Sequence, residues 1–226
     1  MLYGYRCVQT NIKTQGFGEN KLCIKNGKFL GADRGKCPEG YKGYYTGMGM
    51  LGHNGTDWKI IYSEPVFHSW GFYGYVRTQV DFAGAIGVDV LSKDPVELID
   101  GSKVYVMARY WHHHKLLVSD GDLVKPGDAL AFGDSTGAST GHHVHESLKV
   151  VEKANNPNFK VHQNYFTTNK GNGYFGAINP EPYFTNEFIG KVVRQFSSPQ
   201  SKSVIIQRKI LEFVRFCELG RLLGKI

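Results

Sequence analysis

His143 and His145 stand two residues apart, directly after a turn-rich Gly/Ser/Thr run at residues 133–141. On a strand alternate side chains share a face, so both imidazoles point one way while Val144 points into the opposite layer. A pair placed like this suits a metal site, with one nitrogen binding the ion and the other ring free to move a proton or hold a substrate oxygen. A second cluster, His53-Asn54-Gly55-Thr56-Asp57, sets an imidazole and a carboxylate four residues apart across a glycine that lets the backbone turn. A third, Tyr110-Trp111-His112-His113-His114, adds a run of imidazoles. His53, Asp57 and His145 together would supply the three protein ligands of a catalytic zinc, leaving the fourth position for water. His143 and one histidine of the 112–114 run then remain as non-ligand groups for acid and base work. Singly, each cluster also occurs in ordinary strands and turns; it is the combination that makes a candidate site.

The elements that must hold these residues read as short strands. Apolar runs at residues 59–62, 74–82, 86–91 and 103–110 alternate with Gly, Ser, Asp and Pro, the spacing of a meander or sandwich. With 226 residues, 41% hydrophobic and 13% aromatic, the chain has material for a real core. The expected fold is mainly β, an antiparallel β-sheet or sandwich core with a C-terminal extended strap and helix. Residues 1–150 form the expected site-bearing domain, with a polar, Gly-rich insertion at about 19–47 of the kind that rims a site. Residues 151–185 read as an extended strap, because Pro180 and Pro182 forbid a regular strand or helix there. From about Thr185 the pattern turns helical. Over 186–226, Ile206, Ile210, Phe213, Val214 and Cys217 recur at helical spacing among Arg208, Lys209, Arg215, Arg221 and Lys225. This basic amphipathic tail packs on its own domain or docks to a partner chain or an acidic surface.

The net charge of +7 and pI near 9.1 suggest an anionic partner: nucleic acid, a membrane surface or an acidic cell-wall polymer. No RNA-binding aromatic signature, zinc-finger spacing or helix-turn-helix pattern is present, so nucleic acid is not expected. The glycine run at 133–141 lacks a Gly-Lys-Ser/Thr and leads into a strand, which excludes a phosphate loop. The first seven residues show neither a basic start with an apolar core nor a cleavage site, so no secretory signal is expected, and no stretch has the length of a spanning helix. Cys7, Cys23, Cys37 and Cys217 are not set as paired Cys-x-x-Cys, which argues against a zinc knuckle. Cys23 and Cys37 bracket the polar insertion; they either staple it in an oxidising compartment or stay reduced.

Taken in order, Gly52-His53-Asn54-Gly55-Thr56-Asp57, Tyr110-Trp111-His112, Val124-Lys125-Pro126-Gly127-Asp128, and the segment from Ser135 to His145 ending His143-Val144-His145 resemble the lysostaphin-type zinc endopeptidases that cut peptidoglycan cross-links. The resemblance covers residues 14–150 and implies a compact antiparallel β core with its site in a groove between loops. It implies His53, Asp57 and His145 as ligands of one Zn2+ ion, and His112 and His143 as the catalytic pair. On a regular strand His114 shares a face with His112, but the match from Leu116 to Asp128 sets the register on His112. Two positions depart from the family pattern: Glu146-Ser147 stands where an apolar residue and then a glutamate are usual, and His142 replaces a common proline. These touch the packing around the site more than the ligand set. The function implied is zinc-dependent hydrolysis of peptide cross-links or stem peptides of peptidoglycan, by a protein that is extracellular, periplasmic or carried on a virion. The alternative is a catalytically silent wall-binding or structural component of a larger assembly, reached through the C-terminal helix.

Overall fold

The computed structural model describes residues 1–31 and 37–190. In chain order the strands are Gly4–Arg6 (β1), Lys13–Gln15 (β2), Leu22–Lys25 (β3), Lys28–Gly31 (β4), Lys42–Gly43 (β5), Thr56–Lys59 (β6), Pro65–Phe67 (β7), Gly74–Val80 (β8) and Ile86–Ser92 (β9). Val96–Glu97 (β10), Lys103–Leu116 (β11), Leu123–Val124 (β12), Ala129–Gly133 (β13), His143–Lys153 (β14), Tyr165–Thr167 (β15), Ala177–Ile178 (β16) and Phe184–Phe188 (β17) complete them. The chain is thus mainly β, and its large sheet is antiparallel throughout, as the strand spacing leads one to expect.

The two longest strands, β11 and β14, are the spine. They pair from Tyr105 opposite Val151 to Trp111 opposite His145, with β9 and β8 on one flank and β6 and β2 on the other. Side-chain alternation divides the sheet into two faces. Val106, Ala108 and Tyr110 of β11, Val88 and Val90 of β9, and Val144 and Leu148 of β14 enter one core with Trp58, Val66, Trp70 and Leu130. Met107, Arg109 and Trp111 point the other way, to the face that also carries His145.

Glu146, out of step with His145, belongs to the core face and is fully buried. Its carboxyl accepts hydrogen bonds from Trp58 Nε1 at 2.9 Å and from the Ser69 hydroxyl, while burial pushes it up to about 7. The network continues: Ser69 N–H donates to Tyr110 Oη at 3.0 Å, Tyr110 Oη–H donates to His68 Nδ1 at 3.1 Å, and His68 Nε2–H donates to the Phe72 carbonyl at 2.7 Å. The polar residue at a usually apolar position is therefore supplied with donors. Burial drives His68 down to about 4, against 6.5 when free. Between those values the unfolded chain binds more protons than the folded one, so stability rises with pH through this window and is lost as pH falls. The full effect is on the order of 3 kcal/mol. His113, pushed by burial to about 3, acts in the same direction. Thermal melts of His68→Gln across this pH range are expected to show a flatter dependence than the parent; an unchanged slope would remove His68 as a cause.

The insertion is a separate three-stranded sheet in the order β4-β3-β5, followed by a short helix, Tyr44–Gly47 (α1). Cys23 and Cys37 form a disulfide across it. Cys7 is buried and free; Cys217 lies outside the described residues. After β14, the chain returns to lay β15 and β16 against that strand, makes a 3-10 turn at Glu181–Tyr183 with Pro182 in its first turn, and runs into β17, parallel to β1. Residues 185–188, where the helical pattern was expected to begin, are strand, because β1 supplies the backbone partners. Residues 189 and 190 are helical, and 191–226, most of the expected basic tail, lie outside the described residues. Among the described residues no helix is long and apolar enough to cross a membrane.

Candidate metal centre

The register of the sheet assembles the centre. Asp57 of β6 is directly opposite His145 of β14, and Trp111 of β11 is opposite His145 on its other side. His53 arrives from the loop before β6. Its backbone N–H donates to the Glu19 carbonyl at 2.9 Å, its own carbonyl accepts from Gly18 N–H at 2.8 Å, and its Nδ1–H donates to the Gly16 carbonyl at 3.1 Å. That last bond fixes the tautomer and turns Nε2 toward Asp57 and His145.

His53 Nε2 lies 2.8 Å from His145 Nδ1 and 3.1 Å from Asp57 Oδ1, and His145 Nδ1 is 3.1 Å from the same oxygen. Donors around a four-coordinate zinc at about 2.0–2.1 Å are about 3.3 Å apart. The triangle is close to that size, so His53, Asp57 and His145 can hold a metal ion. The Asp57 carboxyl, which burial alone would raise, is held well below the usual range by the His53 and His145 imidazoles. Burial brings His145 down to about 3. An ionised carboxylate and a neutral imidazole are the forms that ligate.

Gly55 acts here by closeness. A Cβ on it would sit 2.5 Å from the Glu146 carbonyl oxygen and 2.7 Å from His145 Cε1. Its backbone is not in the left-handed region, so the turn expected from the sequence is not why glycine is needed. Gly55→Ala is expected to displace the His145 ring and weaken metal binding by about 10- to 100-fold, the scale of a lost supporting contact. Competition with a chelator of known affinity measures this, and unchanged affinity would contradict it.

The other two histidines close over the triangle. Beyond Trp111 the register of β11 shifts, and the strand leaves β14 to pair with β13. His112 occupies this bulge at φ 76, a conformation unusual for a non-glycine residue. The bulge re-aims its side chain. The His112 ring comes within 4.5 Å of His143 and 6.4 Å of His145, centre to centre. His112 Nδ1–H donates to the Thr136 carbonyl at 2.7 Å, and His143 Nδ1–H donates to the Gly141 carbonyl at 2.8 Å. Both rings therefore keep Nε2 uncommitted to backbone, and His143 Nε2 is 3.7 Å from Asp57 Oδ2. Burial, then the neighbouring His143, holds His112 below the ordinary histidine range. Because of the bulge His114 does not share a face with His112; it stacks on Tyr62 at 4.9 Å.

All five residues line one cleft of about 490 Å³, rimmed by Lys21, Leu22, Tyr44 and Tyr45 of the insertion, a volume typical of ligand sites. Tyr45, which the sequence did not single out, is buried with its ring 5.7 Å from that of His53. Its position after a glycine turn carried no periodic signal.

The antiparallel β scaffold thus presents two histidines and an aspartate around one point, under two further histidines, a donor set that can hold a metal ion. The chain is 34% identical over 101 residues to the peptidoglycan DD-endopeptidase ShyB of Vibrio cholerae, covering 45% of this chain and 21% of that protein. It is 32% identical over 98 residues to the peptidoglycan DD-endopeptidase ShyA of the same organism, covering 43% and 20%. The chain thus spans about a fifth of the length of the curated relatives it matches. Among solved structures, the catalytic domain of the antimicrobial peptidase lysostaphin from Staphylococcus simulans aligns at 21% identity and TM-score 0.44, covering 76% of this chain and 90% of that one. No family model matches the sequence. Over less than half of its length the chain is thus similar to proteins named as peptidoglycan DD-endopeptidases, and its three site residues can hold a metal ion.

Proposed function

We propose that this chain is a zinc-dependent endopeptidase that hydrolyses peptide cross-links or stem peptides of bacterial peptidoglycan. The observation that carries the reading is the triangle of ligand atoms, 2.8–3.1 Å apart, lying beneath two imidazoles whose Nδ1 atoms are tied to backbone carbonyls. His53, Asp57 and His145 would hold the zinc. Bound there, zinc brings the pKa of a water to about 7 and polarises the scissile carbonyl. The chain contributes the proton transfers. His112 Nε2, on a ring kept neutral by burial, accepts the proton of the attacking water and passes it to the leaving amine; His143 in its imidazolium form, with Nδ1–H on the Gly141 carbonyl, offers Nε2–H as a hydrogen bond to the tetrahedral oxyanion.

Three further observations support this reading. Two relatives carry peptidoglycan DD-endopeptidase as their name. The charge of +7 suits an anionic wall polymer. The Cys23–Cys37 disulfide suits an oxidising compartment outside the cytoplasm. The test combines metal analysis of the purified protein with the turbidity of purified cell walls and mass spectrometry of what is released. Stoichiometric zinc with freed peptide ends is the expected result. Release of glycan fragments with intact peptides would refute the proposal.

A further inference from the structure

The groove-facing side of the sheet continues past the metal centre. Asp57, His145, Trp111 and Gly87 form one row across β6, β14, β11 and β9. Two residues along, Ser147, Arg109, Asp89 and Arg77 form the next, across β14, β11, β9 and β8. Asp89 is fully buried and holds two guanidiniums: Arg109 Nε and Nη2 donate to its two oxygens at 2.7 and 3.0 Å, and Arg77 Nη2 donates at 3.0 Å. Beyond them Lys149, also buried, donates from Nζ to the Phe175 carbonyl at 2.9 Å. Two guanidiniums thus share one carboxylate with a lysine nearby, and of these cations Arg109 reaches the cleft wall.

Several donors there lack acceptors. Arg109 and Trp111 both line the cleft, with the guanidinium carbon 5.2 Å from the centre of the indole. Among the described residues the buried Nε1–H of Trp111 has no hydrogen-bond partner, and neither has the hydroxyl of Ser147. The bonds of Arg109 to Asp89 and Gln79 use Nε and Nη2, not Nη1. Buried donors are nearly always paired in native proteins, so an indole N–H without a partner, in a side chain that lines the cleft beside excess positive charge, points to an anionic acceptor from outside.

We propose that Arg109 and Trp111 form a carboxylate subsite that recognises an acidic group of the peptide one or two residues from the bond that is cut. The inference rests on the endopeptidase reading for the peptide, though not for the anion. The spacing follows from the sheet. Arg109 is two residues from Trp111, roughly 7 Å along the strand, and Trp111 is opposite the ligand His145. An extended peptide covers that distance in about two residues.

Two synthetic peptides, identical except that the flanking residue carries a carboxylate in one and a carboxamide in the other, test this on the full chain. Calorimetry reads binding and chromatography reads cleavage. The parent protein is expected to bind the carboxylate peptide about 10- to 100-fold more tightly, the range of a charge-assisted pair. In Arg109→Gln the ratio should fall to within about threefold. Arg109→Lys should keep part of it, since the charge survives and the fork does not. Trp111→Phe, which leaves the Asp89 ion pairs in place, should lower the ratio even if Arg109→Gln folds poorly. Equal binding of the two peptides by the parent protein overturns the subsite, as does a ratio unaltered in both Arg109→Gln and Trp111→Phe. A carboxylate preference in binding with neither peptide cleaved leaves the subsite standing and sinks the endopeptidase reading instead.

Discussion

His145→Ala is expected to lose bound zinc and wall hydrolysis together. The ring supplies one corner of the triangle and is within 2.8 Å of His53 Nε2 and 3.1 Å of Asp57 Oδ1. Without it, two ligands remain where a catalytic zinc site uses three. The loss in affinity should exceed the roughly 10- to 100-fold that follows removal of a supporting contact. The fold should survive, because Val144 and Leu148 anchor β14 in the core and the His145 side chain points away from it. Elemental analysis after purification, with a circular dichroism spectrum as control, gives the answer. A variant that keeps one zinc per chain would show that the triangle is not the binding site.

His143→Ala should separate what His145→Ala joins. The His143 ring is held by the Gly141 carbonyl and is 4.5 Å from the His112 ring, centre to centre, yet its nitrogens are not part of the triangle. Zinc content should match the parent protein, while turnover falls by about 10²- to 10⁴-fold, the usual contribution of a positioned acid or base. His112→Ala should behave alike, and the double variant should cost much less than the product of the two, because the pair acts as a unit. Retained turnover in His143→Ala, with zinc bound, would strip that residue of its proposed role.

Much of the arrangement was legible before any coordinates. The strand spacing shows the antiparallel body, since the apolar runs at 59–62, 74–82, 86–91 and 103–110 are set off by Gly, Ser, Asp and Pro. The His-x-His and His-x-x-x-Asp patterns identify the residues that meet at one point, because ligand chemistry admits few side-chain types. Other features are set by partners distant in the chain. The bulge at His112 comes from β11 exchanging β14 for β13, and three consecutive histidines read the same on a regular strand. The carbonyls of Gly16 and Glu19 that orient His53 are backbone groups, which residue identity does not single out. Gly55 was read as a hinge when its service is to leave room for His145. Glu146 departs from the family pattern, and only the placement of Trp58 and Ser69 shows how the core accommodates it.

The row formed by Asp57, His145, Trp111 and Gly87 belongs to four strands drawn from separate parts of the chain. Slippage of β6 or β14 by a single residue turns Asp57 or His145 to the opposite face, so an intermediate in which that pair is out of register owns no competent triangle. Ion capture should consequently lag behind the joining of β6 to β14 during refolding, and a fluorescent zinc indicator would time that rung of the ladder rather than the first collapse.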